Sequence, residues 1–195
     1  MNRRTPIVFE SGKHGEQAYD IFSWLSRKKQ IIYIDDVITD DTANCFMAQL
    51  YCNQTQGQNE VELIINSPGG SVHALFTILD GIDMAHAAGM TIKTTCVGMA
   101  ASAAAILLCY GTPGHRSATK RASIMLHDIS SRAAGTSKDI ERQHAETMRM
   151  RNEIAAVLVG KTLITNPEEY MDRDEYIVTN RAIDLGIIDH VKEDM

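Results

Sequence analysis

Basic residues are the minority in this chain: 19 Lys and Arg stand against 25 Asp and Glu, a formal net charge of −6. With no basic stripe to neutralise phosphates, nucleic acid is excluded as the main partner. Cysteine is scarce too. Cys45, Cys52, Cys96 and Cys109 form no C-x-x-C pair and lie in apolar segments. That excludes a disulfide framework or a zinc site, and reads as buried free thiols in a reducing compartment. No apolar run is long enough to span a membrane; the longest, 99–110, reads as a buried helix. Arg3 and Arg4 are followed by Glu10, Lys13 and Glu16 rather than by an apolar core, so no signal peptide is expected and the cytoplasm is the default compartment. No Gly-Lys-Ser/Thr follows the glycine pair, so no phosphate loop is expected, nor any cofactor or metal. Linkers, low-complexity tracts and internal repeats are also absent.

What is present is ordinary for a folded domain: 195 residues, 44% hydrophobic and 23% charged. Residues 5–10 read as extended and 11–15 as a loop. Ala18, Ile21, Phe22 and Leu25 have helical spacing, predicting a helix over 16–27. A buried strand follows at 30–34. The next helix, capped by Asp40 or Asp41, runs to about Asn53. Further strands are expected at 61–65, 90–97, 122–126, 175–178 and 187–191. Helices are expected at 71–88, 103–109 and 180–185, with Pro167 opening a short acidic one. Thr136 or Ser137 starts a long helix to about Val159. Its apolar seam of Ile140, Thr147, Ile154 and Leu158 is narrow, and Glu141, Arg142, Glu146, Arg149, Arg151 and Glu153 cover its other faces. Strand–helix alternation of this kind predicts an α/β fold, and one domain over 1–195 is the simplest reading.

The chemistry centres on Ser102, a lone hydroxyl among small residues where strand 90–97 gives way to an apolar helix. A serine there is either a nucleophile or a helix cap. A nucleophile needs a base, a group to orient that base and donors for an oxyanion. His127 closes an apolar strand and is the best placed of the histidines to serve as base. Gly69 and Gly70, entered through Pro68, can turn their N–H groups outward toward an oxyanion, or can simply make a strand-to-helix turn. Asp172, Asp174 and Glu175 are all open as the orienting acid. Asp128 is a poor one, because neighbours on a strand point to opposite faces.

Several ordered segments resemble the ClpP family, the proteolytic subunits of Clp proteases, over nearly the whole length. They are Ala18–Leu25, Ile65–Ser71, Gly98–Ser102, Met125–His127, Asp172–Asp174 and Ala182–Asp189. The resemblance implies a crotonase-like spiral of ββα units, with a head and a handle region at about 128–160 whose projecting helix is 137–159, and an N-terminal axial segment over 1–17. It implies a serine endopeptidase acting on unfolded polypeptides, with the triad Ser102, His127 and Asp174. The oxyanion donors would be the N–H groups of Gly70 and Ala103. It also implies self-assembly into two stacked heptameric rings, a ring–ring contact through Arg173, and an AAA+ unfoldase as partner. Two stretches depart from the family pattern. Asp128–Gly135 stands where the family usually has a short polar-proline stretch followed by paired glycines along the substrate groove. Glu62 and Ile64 stand where aromatics usually build the unfoldase pocket, so a mixed ring or a phage-type protease with another unfoldase stays open. An inactive scaffold subunit and a crotonase-like acyl-CoA enzyme are the competing functions.

Overall fold

A computed structural model describes residues 5–12 and 15–193. In chain order the elements are β1 (Ile7–Gly12), β2 (Gly15–Asp20), α1 (Ile21–Lys29), β3 (Ile31–Asp35), α2 (Asp40–Thr55), β4 (Glu60–Ser67), α3 (Val72–Ala87) and β5 (Thr91–Ala101). They continue with α4 (Ala103–Cys109), β6 (Arg116–Thr119), β7 (Ser123–Leu126), α5 (Ser137–Lys161), α6 (Glu168–Met171), β8 (Glu175–Val178), α7 (Thr179–Asp184) and β9 (His190–Lys192). The α/β class and the repeated strand–helix units agree with expectation.

β3, β4, β5, β6 and β9 lie side by side in that order, all parallel. Along β3, β4 and β5 the buried Ile32, Ile34, Val61, Leu63, Ile65 and Ile92 alternate with the less buried Tyr33, Glu62 and Lys93, so one face of these strands makes the core. Ile32, Ile34, Leu63, Ile65 and Ile92 are fully buried from the sheet, and Phe46, Leu75, Ile78, Ile82 and Leu107 from the helices. Each such side chain contributes roughly 1.5–3 kcal/mol on burial. Among the described residues, no helix is long and apolar enough to cross a membrane.

One feature of the sheet positions the site. β5 serves two neighbours in turn. Its first part, Thr94–Cys96, pairs with β6, and its last part, Met99–Ala101, pairs with β7. Gly98 makes the change of direction at φ +83°. A Cβ there would lie 2.8 Å from Asn66 Oδ1, which accepts the Met99 N–H at 3.2 Å, so only glycine fits. β7 then pairs antiparallel with β8.

Several expectations need correction. Residues 15–20 form a strand paired with β1, and the helix begins only at Ile21, where Asp20 accepts the Ser23 N–H at 2.9 Å. Ala18 belongs to that hairpin, so its helical spacing with Ile21 is coincidental. The axial segment expected over 1–17 lies partly outside the described residues, as does His14. α2 is capped by Thr39, not by Asp40 or Asp41, which occupy its first turn; Thr39 and Thr42 cap each other reciprocally. β6 has no counterpart among the expected strands. β9 starts at His190 instead of 187. Of the α5 seam only Ile154 and Leu158 are buried, while Ile140 is exposed. Cys45 and Cys52 are exposed; only Cys96 and Cys109 fit the buried-thiol reading, and burial pushes both of those up to about 12.

Candidate functional site

Ser102 is the hinge between β5 and α4. Its backbone takes φ +55° and ψ −127°, a conformation a non-glycine residue holds only when its surroundings enforce it. Three bonds do so: the Ser102 N–H donates to the Met125 carbonyl at 2.8 Å, and its own carbonyl accepts from Ala105 and Ile106 at 2.9 and 3.3 Å. All seven residues of α4 behind it are buried. The hydroxyl makes no capping bond to the helix. It lies instead 2.7 Å from His127 Nε2. Of the two roles open to this serine, capping is therefore not the one it plays.

His127 follows the last residue of β7, so its backbone is anchored by the sheet while its ring reaches the cleft. Its Nδ1 stands 3.6 Å from Asp174 Oδ1. The β7–β8 register explains the meeting. Leu126 pairs with Glu175, so the next opposed positions are 127 and 174. Of the three acidic candidates, Asp174 alone faces the imidazole. Asp172 bonds Arg151 Nη2 at 3.3 Å, and Glu175 opens β8 opposite Leu126. Asp128, just beyond the end of β7, accepts from Arg151 Nε at 2.9 Å.

The glycine loop forms the opposite wall. The Ile38 N–H donates to the Gly69 carbonyl and the Ile38 carbonyl accepts from Ser71, both at 2.8 Å. This bridge uses the residues on either side of Gly70 and leaves the Gly70 N–H outside the ladder. A Cβ on Gly70 would lie 2.1 Å from the Ile38 carbonyl oxygen, and one on Gly69 2.7 Å from Ser102 Cβ. The loop can approach the serine only because both are glycines. Ala103, the first residue of α4, has one of the N–H groups that a helix start leaves without an internal acceptor.

Between these walls lies a cleft of about 230 Å³. Ser102, His127 and Gly70 line its polar side. Val72, Ile106, Ile154, Leu158 and Met171 make an apolar hollow, and Asp128, Ile129 and Ser130 form its rim. Sequence reasoning places Arg151 on a solvated face of α5; its side chain is in fact only 16% exposed and bound to three carboxylates beside the cleft. Met171, at the end of α6, likewise carries no mark in the sequence. Arg173 is exposed on the segment before Asp174, with no ion pair among the described residues.

Glu62 is half-buried on the sheet. Burial alone would raise its pKa, but Lys192 bonds its carboxylate and Thr95 Oγ1 donates to it at 2.7 Å, with a net result below the usual value. The charge expected at this position is therefore paired rather than isolated. Ile64 is buried.

Comparison with known proteins identifies the family. The model of the Clp protease family matches residues 13–195. The chain is similar to ATP-dependent Clp protease proteolytic subunit 4 of Rhodococcus jostii (strain RHA1), 39% identical over 188 residues and 94% of each chain. It is also similar to proteolytic subunit 1 of Shouchella clausii (strain KSM-K16), 38% identical over 194 residues and 98% of each chain. A third relative is proteolytic subunit 1 of Synechococcus sp. (strain CC9902), 37% identical over 189 residues, 95% of this chain and 94% of the relative. With a fold, a paired serine and histidine, and full-length relatives of one kind, the chain belongs to the Clp protease family and is a serine-type peptidase.

Proposed function

We propose that this chain is the proteolytic subunit of a Clp-type protease, an endopeptidase that cleaves unfolded polypeptides with Ser102 as nucleophile, His127 as base and Asp174 as orienting acid. The contact that carries the reading is Ser102 Oγ to His127 Nε2 at 2.7 Å, made by a hydroxyl free of capping. With Asp174 facing Nδ1–H, Nε2 is left unprotonated and accepts the hydroxyl proton as Oγ attacks the peptide carbonyl. The tetrahedral oxygen takes hydrogen bonds from the Gly70 and Ala103 N–H groups. His127 then gives its proton to the leaving amine, leaving an acyl-serine. A water that loses its proton to His127 hydrolyses this ester and frees Ser102. The apolar hollow beside Ser102 takes a substrate side chain.

The relatives are named ATP-dependent subunits, which supports oligomeric assembly with a Clp ATPase. We read residues 1–195 as one protease unit, with 1–17 as an axial segment and α5 as the handle that joins two stacked heptameric rings. The exposed first part of α5 suits that role, and Arg173 next to Asp174 suits a ring–ring contact. The exposed free thiols of Cys45 and Cys52 fit the reducing cytoplasm. The Glu62–Lys192 pair favours a docking mode for the unfoldase other than an apolar one, in a uniform or a mixed ring.

The test combines native mass measurement with a fluorophosphonate probe. One adduct per subunit, on Ser102, and no cleavage of an unfolded protein or peptide by Ser102→Ala are expected. Label on another residue, or peptide cleavage that survives the substitution, would overturn the assignment. Thioester turnover unaffected by Ser102→Ala would point to acyl-CoA chemistry instead.

A further inference from the structure

The β7–β8 ladder stops at Leu126 and Glu175, one step short of His127 and Asp174. From that end on, no rung of the sheet holds the two segments together. Asp174 is 78% exposed, and among the described residues its carboxylate has no partner besides His127. Something else must fix the separation of the two side chains.

Arg151 is placed to do it. From the middle of α5 its Nε donates to Asp128 Oδ2 at 2.9 Å, its Nη2 to Asp172 Oδ1 at 3.3 Å and its Nη1 to Glu168 Oε1 at 3.4 Å. Asp128 adjoins His127, and Asp172 lies two residues before Asp174. The opposed pair is therefore bracketed, with the ladder on one side and a single guanidinium across the open end on the other. The planar fork of arginine can address two or three carboxylates at once, whereas a lysine ammonium is a point charge without that geometry.

We propose that Arg151 is a positioning residue for proteolysis: by tying Asp128 to Asp172 it holds the His127 and Asp174 segments at working distance and makes α5 part of the catalytic frame. This rests on the triad reading given above. The guanidinium touches neither the substrate nor the reacting atoms. It acts through the alignment of the base and its orienting acid, where displacements of about 1 Å can cost up to 10²-fold in rate.

The experiment is a double-mutant cycle on the assembled full-length protein. It is read by the rate of fluorophosphonate labelling of Ser102 and by kcat and KM on a short peptide. Arg151→Met is expected to lower the labelling rate and kcat about tenfold with KM little changed. Arg151→Lys should recover part of that loss. In an Asp174→Ala background the same Arg151→Met change should cost less than about twofold, because there is no longer an acid to align. Equal fold losses in the two backgrounds would show a general structural role and overturn the proposal. So would the absence of any loss in the parent background. An Asp174→Ala enzyme with the parent's full rate would overturn the triad reading itself, a separate outcome. Native mass of each variant identifies loss of assembly, and a tenfold loss seen only in dissociated Arg151→Met protein also counts against the alignment role.

Discussion

His127 and Asp174 face each other one step beyond the last rung of an antiparallel ladder, with Nδ1 and Oδ1 3.6 Å apart. The separation is just outside hydrogen-bond range. In the proposed mechanism Asp174 would favour the Nδ1–H tautomer and the imidazolium formed during attack. In a serine protease of another fold, exchanging the acid for its amide leaves the geometry in place and costs about 10⁴ in kcat, because the wrong tautomer is favoured. Asp174→Asn is accordingly expected to lower kcat by about 10³–10⁴ with little change in KM. Asp172→Asn, whose carboxylate bonds Arg151 instead, should cost far less. Steady-state kinetics on a peptide substrate ranks the two. Equal losses would mean that sequence proximity, not the facing geometry, decides the role.

Gly70 is tested by its missing side chain. A Cβ at that position would meet the Ile38 carbonyl oxygen at 2.1 Å and the Ile38 nitrogen at 2.7 Å, both backbone atoms that cannot rotate away. Gly70→Ala must therefore push the loop off the bridge to Ile38 and carry the Gly70 N–H with it. Loss of one oxyanion donor typically costs about 10²–10³ in kcat, so a fall of that order is expected while the ground-state KM moves less. Gly57→Ala, which strains a turn at φ +74° but meets no atom within 4 Å, serves as the control and should leave kcat unchanged. A Gly70→Ala enzyme with the parent's kcat would exclude this N–H as a donor.

Much of this was legible in the residues themselves. The switch from a β-rich run to Ala103–Cys109 marks Ser102 as a strand–helix junction, and the apolar run before His127 marks a strand end. Both signals are local, and both elements formed where expected. The parts that escaped depend on distant partners. β6 is four residues with a buried arginine, and Arg116 has a partner only because the parallel pairing of β6 and β9 brings Asp189 beside it. Ala18 matched a helical period because a single apolar residue on a hairpin can fall on any spacing. Arg151 is one of several arginines on α5, and only the fold reveals that three carboxylates converge on it while Arg149 pairs locally with Glu146. The exposed thiols on α2 lie in an apolar-looking stretch whose buried face is set by Ala43, Phe46, Leu50 and Asn53 instead.

The same Arg116 carries the stability prediction. Its Nε and its backbone N–H donate to Asp189 Oδ2 at 3.0 and 2.9 Å, its Nη2 donates to Oδ1 at 2.6 Å, and its Nη1 donates to the Cys109 carbonyl at 3.2 Å. One side chain thus ties β6 to the end of α4 and to the turn before β9. Burial alone would raise the Asp189 pKa, but the Arg116 bonds outweigh it and hold the carboxyl below its usual 3.8. A carboxyl depressed on folding binds fewer protons in the native state than in the unfolded one. Its contribution is fully present above the unfolded value and is lost as pH falls through the lower folded one. Removing one partner of a buried pair strands the other, so Arg116→Met should destabilise the fold by about 3–5 kcal/mol at neutral pH. That corresponds to a fall in Tm of about 10 °C for a chain of this size. The gap between parent and variant should be widest at neutral pH and narrow as pH falls, because without Arg116 burial alone raises the stranded Asp189 carboxyl and its protonation relieves the folded variant first, the parent losing its own contribution only at lower pH. Thermal melts from neutral pH downward decide the matter. A gap that closes instead as pH rises would show that Asp189 is not the group Arg116 stabilises.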